Sequence, residues 1–265
     1  MKPVCLHAKD EIESFLRGKA FLHLYAIGDL DDFFWPYTTW YAIKSQHGIE
    51  ALALFYTGMP LPILLALTEG STDSLAGLLR SISHLLPRRF YAHLSGDLAT
   101  VFAGDYHAEP FGLHHKMALT DPSRLDSVDT SAVIPLSVSD LPDVQAFYAA
   151  SHPDNAFDPR MLETGCYYGI RQGAELVSVA GIHVYSPQYR VAALGNVVTR
   201  PDRRGRGLAT GVCARLCRAL LTHVDQIGLN VKADNAAAIA CYRRLGFEYV
   251  ASYSEYAFEL KQGQS

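Results

Sequence analysis

The run Val197-Val198-Thr199-Arg200-Pro201-Asp202-Arg203-Arg204-Gly205-Arg206-Gly207-Leu208-Ala209-Thr210 constrains this chain more than any other part of it. It predicts a strand, a turn crowded with arginine and glycine, and the first turn of a helix. Such a unit presents backbone N–H groups and the positive end of a helix dipole to an anion. Glycine takes positive φ and lets the backbone come close to a ligand. Arginine adds charge-assisted hydrogen bonds. A nucleotide-like cofactor is the expected ligand; the alternative is a basic surface turn that caps a helix. Spacing excludes two familiar phosphate loops. No G-x-x-x-x-G-K followed by Ser or Thr starts at Gly205 or Gly207. The dinucleotide pattern G-x-G-x-x-G fails because the third glycine, Gly211, arrives too late.

Downstream, Leu208, Val212, Leu216, Leu220 and Val224 recur at helical spacing and predict an amphipathic helix. Gly228 is expected to stop it, with a short strand at Leu229-Asn230-Val231. A second helix is predicted from Asp234-Asn235 to Leu245. An Asp or Asn caps its start, alanines favour it, and Gly246 suits a left-handed C-terminus. Asn235 and Tyr242 then lie about two turns apart on one face.

Two motifs stand out in this order: R-x-x-G-x-A at Arg204 to Ala209, and N-x-x-A-x-x-x-Y-x-x-L-G-F at Asn235 to Phe247. Together they resemble the signatures of the GCN5-related N-acetyltransferases (GNAT). The resemblance implies acetyl-CoA as cosubstrate and no metal. Val197, Val198, Thr199, Arg204, Gly205, Arg206, Gly207, Leu208, Ala209, Thr210, Asn235, Ala238 and Tyr242 would hold it. The thioester would lie along the strand ending at Thr199, with a backbone N–H of Val197 or Val198 as oxyanion donor. Tyr242 would be the general acid toward the sulfur, as against a core tyrosine or one that only orients CoA. Asn235 would bind cofactor, cap its helix, or do both. No carboxylate stands in the strand Val191 to Val198 to act as base. His183 is the candidate there, against a structural role in its strand, a water chain or no dedicated base.

The implied activity is acetyl transfer from acetyl-CoA to a primary amine of a small, amino-acid-like acceptor. A longer acyl donor, peptide or protein N-acetylation, and a non-catalytic acyl-CoA sensor are the alternatives. Length and composition suit one large domain or two ordinary ones. The 265 residues are 49% hydrophobic and carry a formal net charge of only -4, so no global field favours nucleic acid or membrane. No apolar run approaches the roughly 18 residues of a bilayer span, and the N-terminus has no signal-peptide core. The five cysteines lack metal or disulfide-framework spacing, and Cys213 and Cys217 read as helix fillers. A cytoplasmic monomer or homodimer is expected.

The chain also reads as two similar halves. Segments 40–43, 48–54 and 61–67 have the order and texture of 167–170, 173–179 and 189–194. A helix at 74–86 matches the one after Gly207, strand 90–94 matches Leu229, and 111–119 matches 247–260. The fold class expected is α/β (α+β): two GNAT-like domains, each a mixed, mostly antiparallel central sheet flanked by helices. Residues 1–120 would be a degenerate domain, 121–130 a polar linker, and 131–265 the acetyl-CoA-binding domain. After Leu67 the first half has Thr68-Glu69-Gly70-Ser71-Thr72-Asp73, without arginine and with two carboxylates that would repel pyrophosphate. Asp29, Asp31 and Asp32, amid Phe33, Phe34 and Trp35, could attract an ammonium and form one wall of the acceptor site. The alternative for them is a capped turn with core aromatics.

Overall fold

The computed structural model describes residues 2–153 and 155–262. They form two compact units. Of these, the first contains 2–116, 232–234 and 250–262; the second contains 117–153, 155–231 and 235–249. The described residues 250–262, placed with the second half by the 131–265 reading, thus group with the first unit; 263–265 lie outside the described residues.

In the first unit the order is β1 (Val4–Leu6), α1 (Lys9–Arg17), α2 (Leu24–Gly28), β2 (Thr38–Ser45), β3 (Gly48–Tyr56), β4 (Ile63–Ala66), α3 (Asp73–Ile82), β5 (Arg89–Leu94) and β6 (Tyr106–Leu119), which runs on past Lys116 into the second. Strands β1 to β4 pair antiparallel in sequence order, whereas β4 and β5 are parallel. Helix α3 makes that crossover and buries Leu75, Leu78, Leu79 and Ile82 at helical spacing. Helix α1 buries Ile12 and Leu16 one turn apart, with Asp10 and Glu11 at its positive end and Arg17 at its negative end.

The second unit has a similar order, with one helix instead of two after its first strand and an added helix before its last. It has β7 (Ile134–Leu136), α4 (Leu141–Ser151), β8 (Tyr167–Gln172), β9 (Glu175–Ser186), β10 (Val191–Thr199), α5 (Leu208–Leu220), β11 (Gln226–Lys232), α6 (Ala236–Arg244) and the start of β12 (Phe247–Leu260). Strands β7 to β10 again pair antiparallel, and β10 and β11 are parallel. Helices α4 and α5 both pack on β9 and β10. That cover explains why Leu176 to Ile182 and Val191 to Asn196 are buried without alternation. Beyond Val250, β12 pairs antiparallel with β5 of the first unit, Ser254 opposite Leu94 and Glu259 opposite Arg89.

The mixed, mostly antiparallel sheet flanked by helices matches the fold class expected from sequence. Two local readings change. Helix α5 ends at Leu220 rather than near Gly228, because Thr222 and His223 bond back to Ala219 and Leu220 in tighter turns. Val224 is still buried, which is why the apolar period outlasts the helix. Gly228 lies inside β11, opposite Ala193. Residues 120–130 lie in the second unit, with a 3-10 turn at Pro122–Ser127. Arg218 of α5 holds them by donating to the carbonyls of Leu125 and Val128 and to the Thr130 hydroxyl.

Candidate functional site

The ladder between β10 and β11 runs from Val191–Gln226 to Leu194–Leu229. Among the described residues it stops there, although β10 continues to Thr199. Gly195 to Thr199 therefore carry backbone groups on that edge outside the parallel ladder. On its other side β10 stays paired with β9, but its register shifts between Gly195 and Val198. At this bulge Asn196 has φ +52, a left-handed value uncommon outside glycine. The bulge re-aims the peptide groups of Val197 and Val198, as bulges beside functional sites do.

The loop predicted to hold phosphate follows directly. Gly205 and Gly207 have φ of +75 and +76, and a Cβ on either would meet nothing within 4 Å. Their left-handed backbone, rather than crowding, is what calls for glycine. Gly207 is the N-cap of α5, whose first-turn amides at Leu208, Ala209 and Thr210 have no acceptor within the helix. Arg204 donates from Nε to the Thr199 carbonyl at 3.2 Å, which ties the loop to the end of β10. Arg200 is taken up by Glu175 and Asp202. Arg206 is exposed, and among the described residues no carboxylate pairs with it. Two left-handed glycines, a helix N-terminus and Arg204 with Arg206 form a donor set that fits a pyrophosphate.

Helix α6 supplies the second motif. Asn235 is its N-cap, its Oδ1 accepting from the Ala238 amide at 3.1 Å, which leaves the side-chain NH₂ as its remaining donor group. Tyr242 is buried, its ring 5.8 Å from that of Phe247. The neighbouring Cys241 thiol meets the Thr210 hydroxyl at 3.2 Å, so α6 docks on the first turn of α5. Gly246 follows with φ +90; a Cβ there would stand 2.0 Å from the Asp121 carbonyl oxygen.

His183 stands in β9 with Nε2 3.3 Å from Asn196 Oδ1. Asn196 Nδ2 donates to the Tyr167 hydroxyl at 2.9 Å, and the Tyr148 hydroxyl donates to the Asn196 carbonyl at 2.6 Å. None of Asn196, Tyr148 and Tyr167 was singled out from sequence as a site residue. The one available signal was an asparagine directly after Gly195 in an otherwise apolar strand.

The carboxylates proposed for acceptor binding lie in the first unit, each in its own setting. Asp32 pairs with Lys9 at 2.5 Å, and Asp31 accepts the Phe33 amide at 3.1 Å. Burial pushes the Asp29 carboxyl up to about 7. In the same unit the Lys116 ammonium lies over the rings of Tyr25 and Tyr253, 4.8 and 5.2 Å from their centres. Burial pushes Lys116 down to about 7, although the nearby Glu255 carboxylate works the other way. Among the described residues there is no cluster of three or more His, Cys, Asp or Glu arranged for a metal. Nor is any helix long and apolar enough to cross a membrane.

Comparison with known proteins bears on the fold and on the second unit. An uncharacterised Mycobacterium leprae protein is 35% identical over 111 residues, which are 39% of this chain and 29% of that protein. The chain thus spans under a third of that relative's length. A Drosophila melanogaster X-ray structure superimposes with a TM-score of 0.71 at 12% identity, over 97% of this chain and 98% of its own. A tandem GNAT protein from the clavulanic acid biosynthesis pathway, solved without acetyl-CoA, gives 0.54 at 15% identity, over 99% and 100%. At such identities these two likenesses concern fold alone. Residues 136–247 match the model of the acetyltransferase (GNAT) family.

Proposed function

We propose that the second unit is an acetyl-CoA-dependent N-acetyltransferase acting on a primary amine of a small, amino-acid-like acceptor. One observation carries the reading: the open edge of β10 runs straight into a loop with two left-handed glycines at a helix N-terminus. The open edge suits an amide-bearing pantetheine arm, and the loop suits the pyrophosphate next to it.

When bound, acetyl-CoA supplies the acetyl group as a thioester. The amides of Gly205, Gly207 and the first turn of α5, with Arg204 and Arg206, bind its phosphates. A backbone N–H of Val197 or Val198 faces the negative charge that develops on the carbonyl oxygen. The acceptor nitrogen bonds to the carbonyl carbon as the carbon–sulfur bond breaks. A proton leaves that nitrogen, with His183 as the candidate acceptor, and the sulfur takes one from Tyr242. The products are the N-acetyl amine and CoA thiol.

The test is Tyr242→Phe, which keeps the buried ring and removes only the hydroxyl. Turnover is followed as released CoA thiol over a panel of small primary amines and peptides. A loss of about 10²–10⁴-fold in kcat, with CoA affinity retained, is expected for a general acid. Full activity in the variant rejects the acid role. Absence of turnover by the parent chain on every amine, with CoA still bound, turns the reading to a sensor.

A further inference from the structure

The β10 bulge is held from α4. From Gly195 to Val198 β10 takes three steps while β9 takes two, from Gly181 to Val179, so β10 carries one extra residue. Such a residue drops out of the regular ladder, and other contacts set the direction of its peptide groups. The Asn196 carbonyl accepts the Tyr148 hydroxyl at 2.6 Å. The Asn196 side-chain amide donates to the Tyr167 hydroxyl at 2.9 Å. The Tyr167 ring takes space that Gly181 leaves, where a Cβ would stand 2.1 Å from it.

Tyr148 is itself well fixed. It lies one turn after Val144 on α4, both are buried, and its ring centre is 5.1 Å from that of Phe157. Helix α4 packs on β9 and β10. Burial, with Tyr167 beside it, raises the Tyr148 phenol well above its ordinary range, so it keeps the proton that this bond uses.

The bond sets more than a carbonyl. The Asn196 C=O and the Val197 N–H belong to one planar trans peptide, so they point in opposite directions. Holding the carbonyl on Tyr148 therefore aims the Val197 N–H away from Tyr148. A hydrogen bond accepted by the carbonyl also polarises its peptide and makes that N–H the stronger donor. Val198 is already back in register opposite Val179. Of the two candidate oxyanion donors, Val197 is thus the one inside the bulge.

We propose that Tyr148 is a positioning residue: through the Asn196 carbonyl it sets the Val197 amide as the donor that meets the developing oxyanion. The use of that amide rests on the acetyl-transfer reading; the hold of Tyr148 on the bulge does not.

The experiment is ¹³C NMR of acetyl-CoA labelled at the thioester carbonyl and bound to the intact chain, with turnover on the amine panel measured alongside. A hydrogen bond to that carbonyl moves its resonance downfield, and the parent should show this move. A bound carbonyl unmoved in the parent overturns the proposal. Tyr148→Phe keeps the buried ring and removes only the hydroxyl. It should lose most of the downfield move and lower kcat on the order of 10–100-fold, as for a misplaced reacting group. CoA affinity, read by calorimetry, and KM for the amine should be retained. A parent-like resonance or an unchanged kcat in Tyr148→Phe overturns the positioning role. An ester in place of the Val197 amide, made by incorporating the α-hydroxy analogue of valine, deletes that N–H and should cost the same move. An ester at 198 that costs it instead overturns the choice of Val197. Should Tyr148→Phe fail to fold, the ester at 197 decides. A parent that binds acetyl-CoA but turns over no amine overturns the transfer reading, and the carbonyl resonance then decides this proposal by itself.

Discussion

Gly207→Ala isolates the contribution of backbone conformation to the phosphate loop. The new methyl has no neighbour within 4 Å, so the substitution creates no clash. What changes is the cost of φ +76, which for an L-residue is roughly 1–2 kcal/mol. Residues 204–207 are exposed, so the free chain can relax the loop into a right-handed conformation. The cost then returns on binding, when the amides must again converge on the phosphates. At about 1.4 kcal/mol per tenfold, CoA affinity should fall about 5–30-fold. Gly205→Ala, at φ +75 with equally open surroundings, should do the same. The double variant should lose roughly the product if the two sites act independently. Gly207→Asn should lose less than Gly207→Ala, because asparagine visits this region more readily. Isothermal titration calorimetry with CoA at one fixed ionic strength reads these differences, since salt would shift the arginine contribution separately. Parent affinity in Gly207→Ala, or an Asn variant no better than the Ala variant, refutes the left-handed loop as the reason for these glycines.

Two further outcomes are expected, beside the loss of turnover in Tyr242→Phe. Calorimetry should find one CoA per chain, its affinity weakened in Gly205→Ala/Gly207→Ala, and a second equivalent would refute the degeneracy of the first unit. Lys116 is held near 7, below its ordinary 10.5, so the unfolded chain binds more protons and stability rises with pH across that window. The stability of Lys116→Met relative to the parent should fall as pH rises from about 7 toward 10.5. A denaturation difference that does not shrink with pH refutes the buried charge.

Where the physics is local, the sequence was readable. Both meanders, the helices after Leu67 and Gly207, the capped helix at Asn235 and the glycine at its C-terminus follow from periodicity and capping alone. Short elements without a period escaped. Strand β1 has three residues and α2 five, and α2 sits in an aromatic-rich run with no capping hydrogen bond from a side chain. The grouping of residues 250–262 with the first unit depends on pairing between β12 and β5, more than 150 residues apart in sequence, and no local pattern encodes it. The Asn196 network was unreadable for the same reason. Its partner Tyr148 lies 48 residues upstream, and no local pattern places a left-handed asparagine inside a strand.

The two units share a strand–helix–strand core with parallel pairing across it, and they differ at two places that bear on one ligand. In the first unit the ladder closes: β4 pairs with β5 along its whole length, the Ser95 amide extends it to the Ala66 carbonyl, and the Thr68 amide is taken by the Ser95 hydroxyl. The loop that follows has no left-handed glycine, and its Glu69 is paired with Lys19. In the second unit the ladder opens after Leu194, and the loop gains two such glycines and two arginines suited to phosphate. An open edge without phosphate donors would leave strand amides unsatisfied for no gain in binding. A phosphate loop beside a closed ladder would hold the head of the cofactor with nowhere for its arm. Because each feature is useful only with the other, they are expected to be kept or lost together. That is why a fold present twice in the chain leads to one proposed site.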